Sequence, residues 1–279
     1  MSLPTYETML LDVENGVATV TMNRPDRLNA MNHQFFADIK QVFEDLTDMP
    51  DVRVAILKGS GRHFTAGLDL KESSGMMMDE SGDPARARER LRRHVLWLQD
   101  CMSAVEVAPF PVIAAIHGAC IGGGVDLTSA CDMRVAERSS YFTVQEIQIG
   151  IVADIGTLQR LPGLIPPGIV RELAYTGRKY TAEEADKHGF VNAIGESQED
   201  VYAKAQALAE EIAAKTPLAI TGIKRNILFT RDNSVKDSLD YVATWNSGML
   251  MGEDVKVAVT ASLTKTPATF KDRLKAMGS

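Results

Sequence analysis

Apolar and polar positions alternate over residues 6–13 and again over 16–22, the period-two pattern of half-buried strands. Glu14-Asn15-Gly16 between them is a hairpin turn. Asn23-Arg24-Pro25 ends the second strand, because proline has no N–H to give a ladder. Over 32–47 the period lengthens to that of a helix: Phe35, Phe36, Ile39, Val42, Phe43 and Leu46 fall on one side. Residues 52–59 and 112–116 read as short buried strands. Between them, Leu91, Val95, Leu98, Met102 and Val105 form one stripe of a helix over 84–107, stopped by Pro109-Phe110-Pro111. Gly122-Gly123-Gly124 leads into a helix to about residue 130, and 131–136 is again a strand. This alternation predicts an α/β core with parallel pairing.

Two stretches depart from that rhythm. Residues 72–85, rich in Ser, Gly, Met and Asp, read as a mobile surface loop. From residue 170 onward the pattern is mostly helical. Thr181 with Glu183 and Glu184 marks a helix start, 198–214 and 234–252 carry helical stripes, and Thr216-Pro217 separates two helices. The second stripe, with Leu239, Val242, Trp245, Met249, Leu250 and Met251, is an apolar load for an isolated tail. It either folds back onto the core or meets another copy of the chain.

Composition narrows the classes. With 45% hydrophobic and 24% charged residues among 279, the chain is ordinary globular material rather than disordered, collagenous or coiled-coil. A net charge of −7 repels phosphate backbones, so nucleic acid is not an expected partner. No apolar stretch is long enough to span a membrane, and neither end reads as a targeting signal, which leaves the compartment cytoplasmic or unknown. Cys101, Cys120 and Cys131 fit neither a disulfide framework nor a metal knuckle. His33, His63, His94, His117 and His188 are scattered without metal-ligand spacing, and His117, beside a buried strand, reads as a packed core residue. There is no P-loop, and Ser129 and Ser140 lack nucleophile-elbow flanks.

Four features could carry chemistry. Phe64-Thr65-Ala66-Gly67-Leu68-Asp69-Leu70 follows a strand, and its glycine allows the backbone close to a ligand; a tight turn is the simpler reading. Gly122-Gly123-Gly124 sits where backbone N–H groups open a helix, and two such donors from two loops can hold an oxyanion; close helix packing is the simpler reading. Asp126, Glu146 and Asp154 lie among apolar residues, where a charge is costly unless paired and a carboxyl pKa rises toward neutrality. Ion pairs with Arg134 and Arg160 are the simpler reading. Arg86, Arg88, Arg90, Arg92 and Arg93 suit an anionic ligand or a solvated helix face, and Met76-Met77-Met78 an adaptable apolar wall or a surface loop.

Taken in order, Asn23-Arg24-Pro25, Asn29-Ala30-Met31, Thr65 to Leu70, His117-Gly118, Gly122-Gly123-Gly124, Cys131-Asp132 and Gly156-Thr157-Leu158-Gln159-Arg160-Leu161-Pro162 resemble the crotonase superfamily, the enoyl-CoA hydratase/isomerase family. The resemblance covers about residues 10–195. It implies a ββα spiral core over 1–195 holding an acyl-CoA site, and a helical segment over 196–279 that helps form a trimer or a dimer of trimers. It further implies an oxyanion hole from the backbone amides of Leu68 and Gly123. Ala66, Gly67, Asp69, Leu70 and Gly124 would line the thioester site. No cofactor is implied beyond the coenzyme A of the substrate, and no metal.

The carboxylates place the chain within the family. A hydratase of this family has glutamates at the positions of Asp126 and Glu146 and a glycine at that of Asp154. The set found here looks like the Δ3,5-Δ2,4-dienoyl-CoA isomerase branch, with Glu146 exchanging a proton at C2, Asp154 one at C6, and Asp126 tuning the pair. The rivals are an enoyl-CoA hydratase or Δ3,Δ2-enoyl-CoA isomerase, and a non-enzymatic acyl-CoA-binding or RNA-binding homologue.

Overall fold

A computed structural model describes residues 3–77 and 82–274. Strands β1 (Met9–Glu14) and β2 (Val17–Met22) form the expected hairpin, Glu14 opposite Val17. Its two loop residues, Asn15 and Gly16, both have positive φ, 51° and 81°. Two-residue hairpin loops favour that handedness because it matches strand twist. Helix α1 (His33–Asp48) follows, capped by the Asn32 side chain, which accepts from the Phe35 N–H. Strand β3 (Val54–Gly59) pairs parallel with β2.

Next come α2 (Leu70–Met77) and α3 (Pro84–Val107). Helix α2 corrects the loop expected from residue 72. Asp69 starts it: its carbonyl accepts from Ser73 N–H and its carboxylate faces the N–H of Glu72. Once capped, Lys, Glu and Met are good helix formers, whatever the Ser and Gly content suggests. Of the methionine run, Met78 lies outside the described residues.

Strands β4 (Val112–Ile116) and β5 (Ala119–Ile121) lead into α4 (Gly123–Ala130), then β6 (Met133–Glu137) and β7 (Tyr141–Thr143). Helices α5 (Thr157–Arg160) and α6 (Pro167–Thr176), strand β8 (Tyr180–Thr181), α7 (Ala182–Lys187) and β9 (Ala193–Gly195) complete the α/β part. Thr181 caps α7 in a full capping box with Glu184. The sheet order is β1-β2-β3-β4-β6-β9, parallel from β2 onward, with β5-β7-β8 as a second small sheet. The second sheet has strands of two or three residues, too short for a period to show in sequence.

Strand β4 is buried along its whole length because both sheet faces are covered. Helices α1 and α3 pack on one face around Phe35, Ile39, Phe43, Met102 and Val105. Helix α8 (Gln198–Ala213) covers the other, setting Val201, Ala205 and Ala209 against Val54, Ile56, Ile113 and Val135. The division expected at 195/196 thus falls just before a helix that packs on the sheet.

Helices α9 (Pro217–Asp232), α10 (Val235–Met249) and α11 (Glu253–Thr264) follow. Tyr241 stacks on Phe229 with ring centroids 4.3 Å apart, and Trp245 lies over Gly222, so α10 folds onto α9. Leu250, Met251 and Leu263 remain 61%, 86% and 80% exposed. Among the described residues no helix is long and apolar enough to cross a membrane.

Candidate active site

The turn after β3 is woven into its surroundings by nearly every backbone amide. Phe64 and Thr65 N–H donate to the carbonyls of His117 and Ala119, Ala66 N–H to Leu28, and Asp69 N–H to Met31. Gly67 N–H is taken by the Thr65 hydroxyl. Within the described residues the N–H of Leu68 has no acceptor. The second unclaimed donor is Gly123, first residue of α4, whose N–H has no partner within the helix. Gly122 before it adopts φ 52°, ψ −117°, a conformation closed to side-chain-bearing residues.

Glycine is also needed here for space. A Cβ on Gly67 would lie 2.7 Å from the Ile121 carbonyl oxygen, and one on Gly124 2.5 Å from Thr65 Cγ2. The two loops therefore touch backbone to backbone. That contact brings Leu68 and Gly123 to the wall of one cavity of about 640 Å³.

Ala66, Gly67 and Leu70 share that wall. Asp69 and Gly124 do not. Asp69 is buried behind it, paired with Arg24 at 3.2 Å, and Gly124 faces Thr65 and Cys120. The rest of the lining is largely apolar, including Phe36, Val95, Leu98, Ile151 and Ile155.

Two of the three carboxylates open onto the cavity. Glu146 begins a 3₁₀ turn after β7, and the missing side chain of Gly122 lets its Oε1 come within 3.2 Å of where a Cβ would stand. Its Oε2 is buried without a hydrogen-bond partner. Burial, then the charges of Asp126 and Asp154, push the Glu146 pKa up to about 7. Asp154 lies on the same wall but is solvent-exposed. Burial of part of the group raises its pKa, opposed by its own backbone N–H and by His94.

Asp126 is fully buried in α4 and stands behind the cavity. Its Oδ1 accepts from Thr157 N–H at 2.5 Å, while Oδ2 and the Thr157 hydroxyl have no partner. Burial raises its pKa to about 6 against the lowering effect of the Thr157 N–H.

The simpler reading of these carboxylates as structural ion pairs is not realised. Arg160 pairs with Glu106 at 3.1 Å, and Arg134 donates to the carbonyls of Thr128, Cys131 and Phe190. By contrast Arg86, Arg92 and Arg93 make short-range pairs with Asp83 and Glu89 on the solvent face of α3. His117 is the packed core residue expected, its Nε2 3.0 Å from the Gly61 carbonyl.

His33 and His94 also reach the cavity, stacked around Trp97, with ring centroids 4.5 Å and 5.7 Å from the indole. Their separation in the sequence gives no metal-ligand spacing and no sign of this proximity. The usable signal was that His94 shares the α3 stripe of Leu91, Val95 and Leu98.

The site thus offers two unclaimed N–H donors beside two carboxyl groups with raised pKa, in an apolar cleft. Donors fixed before reaction can stabilise negative charge as it develops on a carbonyl oxygen, and the carboxyls can trade protons near neutrality.

The enoyl-CoA hydratase/isomerase family profile matches residues 12–273. A peroxisomal Delta(3,5)-Delta(2,4)-dienoyl-CoA isomerase of Arabidopsis thaliana is 41% identical over 97% of this chain and 99% of its own length. The mitochondrial enzyme of that name from Homo sapiens is 41% identical over 92% and 79%. Among solved structures, a putative enoyl-CoA hydratase from Streptomyces coelicolor A3(2) superposes with TM-score 0.89 at 30% identity, covering 97% of this chain and 96% of that one. With the glycine-lined donors and the carboxylates found on one cavity, and a profile match along nearly its whole length, this chain belongs to the enoyl-CoA hydratase/isomerase family, the crotonase superfamily.

Proposed function

We propose that the chain converts 3,5-dienoyl-CoA to 2,4-dienoyl-CoA in fatty-acid β-oxidation. It is an isomerase acting on an acyl-CoA thioester, a reading supported by relatives of that name at about 41% identity. The observation that carries the mechanism is the sharing of one cavity wall by Leu68, Gly123, Glu146 and Asp154.

The thioester oxygen sits between the N–H groups of Leu68 and Gly123. Glu146, as carboxylate, takes a proton from C2. The electron pair spreads over the conjugated chain and onto the oxygen, where the two donors hold it. Asp154, as carboxylic acid, returns a proton at C6. The double bonds move from C3=C4 and C5=C6 to C2=C3 and C4=C5, and one proton leaves while one arrives. Glu146 ends protonated and Asp154 ionised; once the product leaves, Glu146 gives its proton to water entering the cavity and the solvent-exposed Asp154 takes one up. Asp126 raises the proton affinity of Glu146 from behind. No resident cofactor is required, since coenzyme A comes with the substrate.

The exposed faces of α9 to α11 support assembly as a trimer or dimer of trimers, with Ile223 and Ile227 adding to Leu250, Met251 and Leu263. Sedimentation of a monomer at micromolar concentration would overturn the assembly.

The activity is tested with 3,5-dienoyl-CoA, followed by the absorbance of the conjugated 2,4-dienoyl thioester. Wild type turns it over. Glu146→Gln and Asp154→Asn each lose roughly 10²–10⁴-fold, the usual share of an acid/base group. Full activity in either variant refutes the assignment, and efficient hydration of crotonyl-CoA without isomerisation favours a hydratase.

A further inference from the structure

Helix α3 lines the cavity with its middle turns and fastens a neighbouring segment with its last two. Leu91, His94, Val95 and Leu98 face the cavity. Gln99, Ser103 and Glu106 follow at spacings of four and three, one face of the helix. All three hold residues 154–160. The Gln99 Nε2 donates to the Asp154 carbonyl at 2.6 Å. The Ser103 hydroxyl and the Glu106 carboxylate accept from Arg160, at 3.0 Å and at 3.1 and 3.2 Å. Arg160 in turn reaches the Ile155 carbonyl at 3.4 Å. Gly156 has φ 140°, and a side chain there would collide with the Arg160 guanidinium. The Thr157 N–H closes the segment on Asp126.

Three backbone groups in four residues are therefore anchored by side chains: the carbonyls of 154 and 155 and the amide of 157. The Asp154 carboxylate, in contrast, makes no hydrogen bond to another side chain among the described residues, so its placement follows the backbone that carries it. Glu146 lines the same cavity from the turn after β7 and is held by neither Gln99 nor Arg160.

We infer that Gln99, backed by the Arg160–Glu106 pair, is a positioning residue for Asp154, setting the geometry of proton return at C6 and leaving proton removal at C2 untouched. The inference rests on the isomerase reading above.

The test separates the two proton transfers. Wild type and variants are mixed with 3,5-dienoyl-CoA in D₂O. Deuterium entering C2 of unreacted substrate is followed by mass spectrometry beside formation of the 2,4-dienoyl product. Gln99→Met and the isosteric Gln99→Glu should each slow isomerisation by about tenfold or more, since small misplacement of a reacting group is costly. Exchange at C2 should persist, because the dienolate that is not protonated at C6 returns through Glu146. Ser103→Ala should shift the same ratio to a smaller extent. Parallel loss of both rates in folded variants, or no change in either, overturns the positioning role. Wild type that neither isomerises nor exchanges at C2 overturns the isomerase reading, and this inference with it.

Discussion

Glu146 and Asp154 face one cavity and are held in opposite ways. The Glu146 side is built from backbone: glycines in two touching loops, an unpartnered carboxylate oxygen, and a second buried acid behind. The Asp154 side is built from side chains: a solvent-exposed carboxylate on a segment pinned by Gln99 and Arg160. A buried, unpaired carboxyl holds its proton toward neutral pH, as the C2 base proposed above requires. An exposed one equilibrates with solvent, which suits the proton donor proposed at C6. Burial raises the pKa of both, and access to solvent with a pinned backbone sets Asp154 apart.

The contrast is most sharply broken at glycine. Gly122→Ala places a Cβ 3.2 Å from Glu146 Oε1 at a φ of 52°. Activity should fall by about 10²-fold. Gly150→Ala, at the end of the turn that Glu146 begins, also meets positive φ, 75°, but nothing within 4 Å. It should cost about 1–2 kcal/mol of backbone strain and leave kcat nearly intact. Steady-state kinetics beside thermal melts compare the two; equal activity losses would erase the distinction.

A pH profile is the next largest effect. With Glu146 near 7, kcat/KM should drop about tenfold per unit below that pH as the base becomes protonated. Asp126 raises this pKa, so Asp126→Asn should move the acid limb to lower pH. An unmoved limb would remove Asp126 from the electrostatics of the site.

Stability gives the smallest effect, with a definite sign. Asp126 is raised to about 6, so the folded chain binds more protons than the unfolded one between about 4 and 6. Stability therefore declines as pH rises through that window, and the cost is complete above it. The gap of about 2 units corresponds to roughly 3 kcal/mol at most. Asp126→Asn, which keeps an acceptor for Thr157, should raise Tm at pH 8 by a few degrees and by less at pH 4. Equal shifts at both pH values would mean that the change is one of packing.

By itself the sequence determined the elements with a clear period and the residues whose type is chemically improbable in their setting. The hairpin, α1, α3 and β4 were legible because burial of one face imposes a repeat of two or 3.6 on neighbouring residues. The three glycines and the three carboxylates were legible because a bare backbone or a charge among apolar residues has few cheap explanations. Only the tertiary structure decided how they meet. Residues 65–70 and 122–124 become one surface through contacts 50 residues apart or more, and a long-range contact leaves no local period. The same reason hid β5, β7 and β8, whose pairing rather than composition makes them strands. It separated Asp126, behind the wall, from Glu146 and Asp154 on it, although all three read alike along the chain. And it assigned Arg160 to Glu106 and Gln99 to a backbone carbonyl, because a polar side chain takes the partner that folding brings within hydrogen-bond reach rather than the one nearest in sequence.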